Sequence, residues 1–321
     1  MAKNKYIYVA IFLGFICLII SCKKLGITPD PQCDFPVEVW YLNPKIEQSG
    51  FQYMAPHFNP NNSQEFVFFK YDFGQKKGGL YKYNLITKEE SHIVDAGVIP
   101  MARWSVKDWI AFTNSDRQIW KIKSNGDSLT QLTNFGENFY PDWNSEGTQL
   151  IIKRTDQSPI DNWIILTENG QKIMELDSTL GTSNWHSWSP DGRILSYLFG
   201  PSLVYTYIDS IKPIIIPNIT PSGGGIIRHS WENNSESIIW SGNNGIFRTN
   251  IFSHETEQIT HACDEIIYMY ISISPDGKTL LLDRNDREYI TSDALTYETK
   301  EQRSIYIMDI DGQNERKLEF N

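Results

Sequence analysis

The amino-acid sequence predicts an all-β protein built from six similar repeats, and two observations support this. A turn-and-tryptophan phrase recurs at intervals of 39 to 46 residues, in copies that contain Phe58, Trp104, Trp143, Trp188, Trp231 and Ile273. A period in this range is typical of chains in which each repeat is one supersecondary unit that is stable only when stacked on its neighbours. Moreover, no segment has the apolar spacing of a long amphipathic helix.

The unit that begins at Ala102 shows what one repeat encodes. Residues 102–105 and 109–113 predict two short strands around a polar turn, because the second is rich in aromatic and apolar residues. Residues 118–123 alternate between polar and apolar, as a half-buried strand does. The Asn125-Gly126 pair then favours a tight hairpin turn before a fourth strand at 129–133. Four antiparallel strands are the content of one propeller blade, so we predict a six-bladed β-propeller of four-stranded antiparallel blades.

The other units fit this template with different clarity. The third predicts strands at 148–153, 163–167 and 172–176, and the last at 279–283, 304–309 and 316–320. A polar insertion at about 285–302 divides the last unit, and we interpret the charged run at its start, residues 283–288, as a solvated loop. The fourth unit is the most degenerate, with strands expected at 203–208 and 213–216 around a stretch broken by proline.

Residues 188–192 read Trp-Ser-Pro-Asp-Gly, and residues 305–314 read Ile-Tyr-Ile-Met-Asp-Ile-Asp-Gly-Gln-Asn before a leucine at the end of the fourth strand. This pattern resembles the WD40-like repeat of TolB-like six-bladed β-propellers, over roughly residues 51–320. The resemblance implies that the Asp-Gly turn joins the first two strands of a blade and that the first strand lines a central channel. It does not imply an activity, because propellers support many unrelated functions.

The N-terminal segment predicts a lipoprotein signal. Lys3 and Lys5 precede an uncharged apolar run at 6–20, which is shorter than the roughly 20 residues of a spanning helix. The run ends in Ile19-Ile20-Ser21-Cys22, which resembles the lipobox of bacterial lipoproteins and implies that Cys22 is acylated. The alternatives are a simple secretory signal or an anchor helix. We therefore expect a signal peptide at 1–21, a lipidated tether at 22–35 and the propeller at 36–321, in a lipoprotein anchored to the outer membrane and facing the periplasm or the cell surface.

Charge and cysteine content limit the partners. The formal net charge is −10, and it becomes −12 when Lys3 and Lys5 leave with the signal. Such an acidic surface disfavours nucleic acid and anionic lipid headgroups. Cys17 would leave and Cys22 would be lipidated, so that Cys33 and Cys263 remain in a compartment that permits disulfides. Ring closure brings the first and last blades together and allows a Cys33–Cys263 bridge; the alternative is two unrelated thiols.

Two histidines fall at the same phase of the repeat. His186 and His229 each precede a repeat tryptophan by two residues, which places both on innermost strands near the channel. Some propeller lyases that cleave acidic sugars are similar, in that innermost-strand histidines surround a divalent metal. A metal needs at least three converging ligands, and Asp142 is one position out of step, so hydrogen bonding within the blade edge is the competing interpretation. Trp185, Arg103 and Asp142 complete the predicted ligand-binding set at the channel mouth.

The sequence favours a non-enzymatic binding or scaffold protein without a cofactor. It shows neither the glycine-rich phosphate loop followed by a helix nor the Gly-x-Ser-x-Gly elbow of hydrolases. We expect a monomer that binds an envelope protein, a peptide or a glycan and contacts the membrane through its lipid anchor, but does not bind nucleic acid. The alternatives are a metal-assisted carbohydrate-active enzyme that uses His186 and His229, and an accessory subunit of a glycan-uptake system. In the TolB resemblance the partners are envelope proteins, but we expect no separate N-terminal α/β domain here.

Overall fold

The computed structural model describes residues 43–97, 101–155, 162–176, 185–210, 212–217, 219, 226–242, 244–263, 265–292 and 296–320. In these ranges the chain is all-β and contains no helix, and it forms six blades of four antiparallel strands. The predicted fold class is therefore confirmed. No helix in the described ranges is long and apolar enough to cross a membrane.

Each blade is built from one contiguous stretch of chain, with its four strands in sequence order from the axis outwards. The strands of blades one to three are β2 Phe51–Asn59, β3 Asn62–Asp72, β4 Lys77–Asn84 and β5 Glu90–Asp95; β6 Ala102–Trp104, β7 Trp109–Thr113, β8 Ile119–Lys123 and β9 Thr130–Gln131; and β10 Glu137–Trp143, β11 Gln149–Thr155, β12 Asn162–Thr167 and β13 Lys172–Leu176. Those of blades four to six are β14 His186–Trp188, β15 Ile194–Phe199, β16 Ser202–Tyr207 and β17 Ile214–Ile215; β18 Arg228–Trp231, β19 Ser237–Gly242, β20 Gly245–Asn250 and β21 Thr256–His261; and β22 Ile266–Ile273, β23 Thr279–Ser292, β24 Thr296–Asp309 and β25 Arg316–Lys317. One further strand, β1 Asn43–Gln48, joins the sixth blade.

The first strands of the blades surround the axis of the ring. Each first strand contacts the first strand of the next blade, and β22 contacts β2, which closes the ring; these strands are β2, β6, β10, β14, β18 and β22. These strands all run in the same direction along the axis. The molecule therefore has a face where the innermost strands begin, which we call the base, and an opposite face where the turns between first and second strands lie.

The hydrophobic core is divided into six clusters, one at each blade interface. The repeat aromatic of a blade packs against strands of the preceding blade: Trp104 lies with residues of blade one, and Trp143 with residues of blade two. Phe58 packs against Leu281 and Ile305 of the last blade, so the cluster that closes the ring has the same construction as the others. The recurring aromatic thus buries the surface that a single blade could not bury alone.

Local hydrogen bonds explain the Ser-x-Asp-Gly turn. The Ser189 hydroxyl donates to Asp191 Oδ1 (2.6 Å) and accepts the backbone N–H of Ile194 (2.9 Å). Ser274 makes the same bond to Asp276, also at 2.6 Å. Gly192 has a φ of +72°, a left-handed conformation that favours glycine. Serine, aspartate and glycine therefore each satisfy a separate requirement of one tight turn.

The described strands confirm the predicted repeat content and correct one part of it. Strands occur near every predicted position in the second, third, fourth and last units. The interpretation of residues 283–288 as a solvated loop was wrong. These residues belong to β23, which pairs with β24 along nearly its whole length, so the polar insertion is a long β-hairpin. We call the part of this hairpin that projects beyond β22, residues 287–301, the arm.

The arm receives the N-terminal strand. β1 pairs with β24 in parallel, with Asn43 opposite Thr296 near the arm tip and Gln48 opposite Glu301. The sequence also favours a strand at 37–42 beside the closing blade, but these residues lie outside the described ones. The described strand that joins the closing blade is Asn43–Gln48. The Gln302 side chain donates to the carbonyl of Phe51 (2.7 Å), which connects the arm to the first blade. The two ends of the chain are thus joined at the base of the ring.

A buried ion pair strengthens the closure. Asp283 has no exposed surface, and its carboxylate accepts two hydrogen bonds from Arg303, one of them from Nε at 3.0 Å. The same carboxylate accepts the backbone N–H of Ala55 in blade one (3.0 Å). Removing one partner of such a pair leaves an uncompensated buried charge, which is strongly unfavourable.

We expect Asp283→Asn to lower the free energy of unfolding by about 3–5 kcal/mol, because Arg303 is then buried without its carboxylate. Adding Arg303→Met should recover part of that loss, because the unpaired charge is removed as well. The matched control is Lys107→Met, which breaks the half-exposed Lys107–Glu168 pair (3.0 Å) and should cost under about 1 kcal/mol. Urea unfolding followed by tryptophan fluorescence measures all three, and equal losses for Asp283→Asn and Lys107→Met would contradict the assignment.

Candidate functional site

The innermost strands present two layers of side chains to the axis. The first layer consists of the residues directly before each repeat aromatic, or before Ile273 in the sixth blade: His57, Arg103, Asp142, Ser187, Ser230 and Ser272. The second consists of the residues two positions earlier: Ala55, Met101, Tyr140, Trp185, Arg228 and Tyr270. The spacing of two follows from the alternation of side chains along a strand, although bulges near Ala55 and Tyr140 locally shift the register.

The first layer lines a central cavity of about 320 Å³. The cavity opens at the face of the first-to-second-strand turns, because it is also lined by turn residues such as Pro60, Asn144, Pro190 and Pro275. We call it the funnel and call this side of the molecule the funnel face. Its lining combines hydroxyl and amide groups with the edges of the four repeat tryptophans. Such a surface suits a ligand that offers both hydrogen-bonding groups and apolar or ring surface.

First-layer side chains also fasten adjacent blades to each other. In three interfaces the side chain accepts the backbone N–H of the next repeat aromatic: Trp104 to His57 Nδ1 (3.3 Å), Trp188 to Asp142 Oδ2 (3.0 Å) and Phe58 to Ser272 Oγ (3.0 Å). The third of these bonds closes the ring between blades six and one. These side chains therefore have a structural role in addition to facing the funnel.

Two other interfaces use the indole N–H of the repeat tryptophan instead. Trp143 Nε1 donates to the carbonyl of Arg103 (3.1 Å), and Trp231 Nε1 donates to the carbonyl of Ser187 (3.2 Å). The donors of these bonds are the tryptophans whose recurrence the sequence shows. Tryptophan thus supplies both buried area and an inter-blade hydrogen bond at these positions.

The ionisable groups of the funnel have strongly altered pKa values. Burial raises the pKa of Asp142 to about 6, although the Arg103 charge and hydrogen bonds from Trp188 and Ser187 act in the opposite direction. Arg103 Nε lies 3.4 Å from Asp142 Oδ1. Burial, together with the Arg103 charge, lowers the pKa of His57 to about 3, so this ring is neutral at neutral pH. Arg103 and Asp142, both predicted at the channel mouth, are thus brought together in the funnel.

The second layer closes the axis beneath the funnel. The Arg228 guanidinium lies 3.0 Å from the ring centroid of Trp185 and 4.6 Å from that of Tyr270. Trp185 also packs against Tyr140, with ring centroids 4.6 Å apart. Ala55, Met101 and Tyr270 share one hydrophobic cluster with these rings, so residues from opposite sides of the ring meet at the axis. We call these six second-layer residues the plug.

The structure places Trp185, His186 and His229 away from the mouth where the sequence predicted them. Trp185 lies in the plug. Both histidines are on innermost strands, as predicted, but their rings point into blade interfaces and do not line the funnel. His186 packs on Trp163 of the preceding blade (centroids 5.3 Å apart), and His229 Nε2 lies 2.8 Å from Ser196 Oγ of the preceding blade. Burial lowers the pKa of each to about 3.

The described residues contain no group of three or more His, Cys, Asp or Glu side chains that could hold a metal ion. Sequence reasoning also missed four lining residues, His57, Ser187, Ser230 and Ser272. Their common signal is the position directly before the repeat aromatic, or before Ile273 in the sixth blade.

Cys263 is disulfide-bonded. Its predicted partner Cys33 and the predicted lipidation site Cys22 lie outside the described residues, so both remain predictions.

The funnel face is acidic. The turns that surround it carry more than twice as many acidic as basic residues. The acidic ones are Glu89, Asp108, Asp127, Glu146, Glu168, Asp191, Asp209, Glu232, Glu236, Glu255, Asp276, Asp311 and Glu315, and the basic ones are Lys88, Lys107, Arg193, Lys212 and Lys278.

Comparison with solved structures gives fold-level likenesses. A structure assigned to TolB from Agrobacterium tumefaciens superposes with a TM-score of 0.59 at 17% identity, covering 73% of this chain and 86% of that one. A chain of a nidogen/laminin complex gives 0.56 at 12% identity, covering 85% and 94%. An oligogalacturonate lyase in complex with manganese gives 0.55 at 11% identity, covering 83% and 78%.

At 17% identity or less, these superpositions establish the fold alone. The expectation of a TolB-like six-bladed β-propeller is confirmed at that level. No family model matches the chain. No curated protein sequence matches it either.

The buried histidines predict a loss of stability in acid. A pKa of about 3 in the folded chain, against 6.5 for an ordinary histidine, means that the unfolded chain binds the extra proton. The contribution of His229 is complete above pH 6.5 and declines as pH falls from 6.5 to about 3. We expect His229→Gln to reduce the slope of unfolding free energy against pH in this window by up to about 1.4 kcal/mol per pH unit. Urea unfolding at several pH values measures it, and the exposed His254→Gln should leave the slope unchanged.

Asp142 predicts a change of stability with pH that is opposite in sign to that of the histidines. Its pKa is higher in the folded chain than the ordinary 3.8, so its stabilising contribution is present below pH 3.8 and is lost as pH rises to about 6. Asp142→Asn keeps an oxygen acceptor for the Trp188 N–H but does not titrate. We therefore expect the stability of this variant relative to the unmodified protein to increase between pH 4 and pH 6. Asp127→Asn in an exposed turn is the control, and a flat difference for Asp142→Asn would contradict the burial of its charge.

Proposed function

We propose that this protein is a lipid-anchored binding or scaffold protein of the bacterial cell envelope that receives part of a protein, peptide or glycan in the funnel. The observation that carries the proposal is the funnel itself, a pre-formed cavity of about 320 Å³ lined by residues from all six blades. Its walls are short turns and innermost strands held by inter-blade hydrogen bonds. Binding to such a rigid site requires little ordering of the protein.

The chemistry of the lining supports binding rather than catalysis. The Asp142 carboxylate is occupied by Arg103 and the Trp188 N–H, and His57 Nδ1 accepts the Trp104 N–H. The titratable groups at the floor of the funnel are therefore engaged in holding blades together. A general acid or base must instead be within hydrogen-bond reach of a substrate proton. The Ser230 hydroxyl and the tryptophan edges are the groups left to contact a ligand.

The metal-assisted enzyme receives less support. His186 and His229, which would supply its ligands, lie in two different blade interfaces. The likeness to a lyase in complex with manganese is a likeness of fold at 11% identity.

The lipid anchor at Cys22 and the outer-membrane location belong to the proposal and are supported by the sequence of the N-terminal segment.

The test is to fill the funnel. Ser230 lines the cavity on the fifth blade, and Ser230→Trp would occupy much of its volume. We expect this variant to weaken binding by at least about tenfold, measured against panels of purified envelope proteins, peptides and glycans, because an overlap of this size removes most of the contact. The control is Ile215→Trp, which adds the same side chain on the exposed outermost strand of blade four.

Two results would contradict the proposal. One is a ligand whose affinity is unchanged by Ser230→Trp but is lost in Ile215→Trp, since recognition would then use the outer strands. The other is turnover of any glycan in the panel by the unmodified protein, since the funnel would then be an active site.

A further inference from the structure

We propose that the base of the propeller faces the membrane and that the funnel opens away from it. This inference rests on the lipid anchor of the proposed function and adds to it a defined orientation. It assigns the base and the arm as the surface next to an anionic bilayer, and it leaves the funnel to partners on the other side. Two features support it, the path of the chain and the disulfide bond of Cys263.

The first feature is the path of the chain. β1 runs along the arm, and its first described residue, Asn43, pairs with Thr296 near the arm tip. The arm projects from the base, since β23 and β24 continue beyond Ile266, the first residue of β22. The N-terminal segment that carries Cys22 therefore joins the propeller at the base. β22 has 8 residues, so the funnel face lies about 25 Å farther along the axis.

The second feature is the disulfide bond of Cys263. This residue lies between β21 and β22, at the base. The chain has 4 cysteines, and the other three, Cys17, Cys22 and Cys33, all precede β1. We infer that the disulfide joins the N-terminal segment to the base. If Cys17 is removed and Cys22 is acylated, the partner is Cys33, and the eleven residues from Cys22 to Cys33 span at most about 40 Å.

The experiment uses the full, lipidated chain in vesicles of phosphatidylethanolamine and phosphatidylglycerol that carry a headgroup quencher. Two matched variants place a fluorophore on an exposed glutamate, Glu288→Cys on the arm and Glu236→Cys on a funnel-face turn. The native disulfide stays oxidised during labelling. With a separation of about 25 Å or more along the axis, we expect quenching at Glu288 to exceed that at Glu236 at least about twofold. Replacing both cysteines, Cys33→Ser together with Cys263→Ser, should bring the two values closer together without leaving a second thiol that takes the label.

The outcomes separate the two proposals. Equal quenching at both sites, or stronger quenching at Glu236, in protein that floats with the vesicles through Cys22 overturns the orientation and leaves the lipid anchor in place. Flotation that persists unchanged in Cys22→Ser, or no flotation of the unmodified chain, overturns the anchor and with it the orientation. A Cys263 thiol that stays blocked in Cys33→Ser overturns the assigned disulfide partner, and with it the short tether.

Discussion

The fold depends on one repeated constraint, which is that five of the six blades bury an aromatic side chain against the preceding blade while its backbone amide or indole N–H donates to an acceptor there. Trp188 illustrates this, because its ring is buried at the interface with blade three and its N–H donates to Asp142. Phe58 does the same across the junction of the first and last blades, where Ser272 is the acceptor. Since buried amides must be paired, packing and hydrogen bonding select the same spacing between blades.

The funnel is a by-product of this constraint. The residue directly before the repeat aromatic, or before Ile273 in blade six, faces the axis because side chains alternate along a strand. In blades one, three and six that residue is also the acceptor that fastens the next blade. Substitution at His57, Asp142 or Ser272 would therefore change stability together with the lining of the funnel. Ser230 is more suitable for altering the lining alone, because among the described residues its side chain makes none of the hydrogen bonds that hold adjacent blades together.

Most of the architecture could be predicted from sequence because the repeat is local. The repeat period predicts the number of blades, and turn residues such as Ser189 and Asp191 predict where the hairpins lie. The arm could not be predicted, because its strands carry polar residues on both faces and lack the alternation of a half-buried strand. Its order comes instead from distant partners, such as the bond from the Gln302 side chain to Phe51, which is 251 residues away in sequence. For the same reason the charged run that contains Asp283 resembled a loop.

The site was predicted less well than the fold. Arg103 and Asp142 do lie together in the funnel, because both directly precede a repeat tryptophan. His186 and His229 occupy the same position in their repeats, but side chains at that position point away from the axis. This becomes evident only when the structure shows that the residues one position later, Ser187 and Ser230, line the funnel. Trp185 has the correct direction but lies one layer deeper, where Arg228 and Tyr270 cover it.

The plug has a consequence for how a bound molecule is exchanged. Because side chains from opposite blades meet at the axis beneath the funnel, the central opening is blind rather than a passage through the disc. A ligand of the kind proposed above would then enter and leave through the same opening, and an extended polymer would insert an end or a side group instead of threading through. Its rate of dissociation would depend on that one opening.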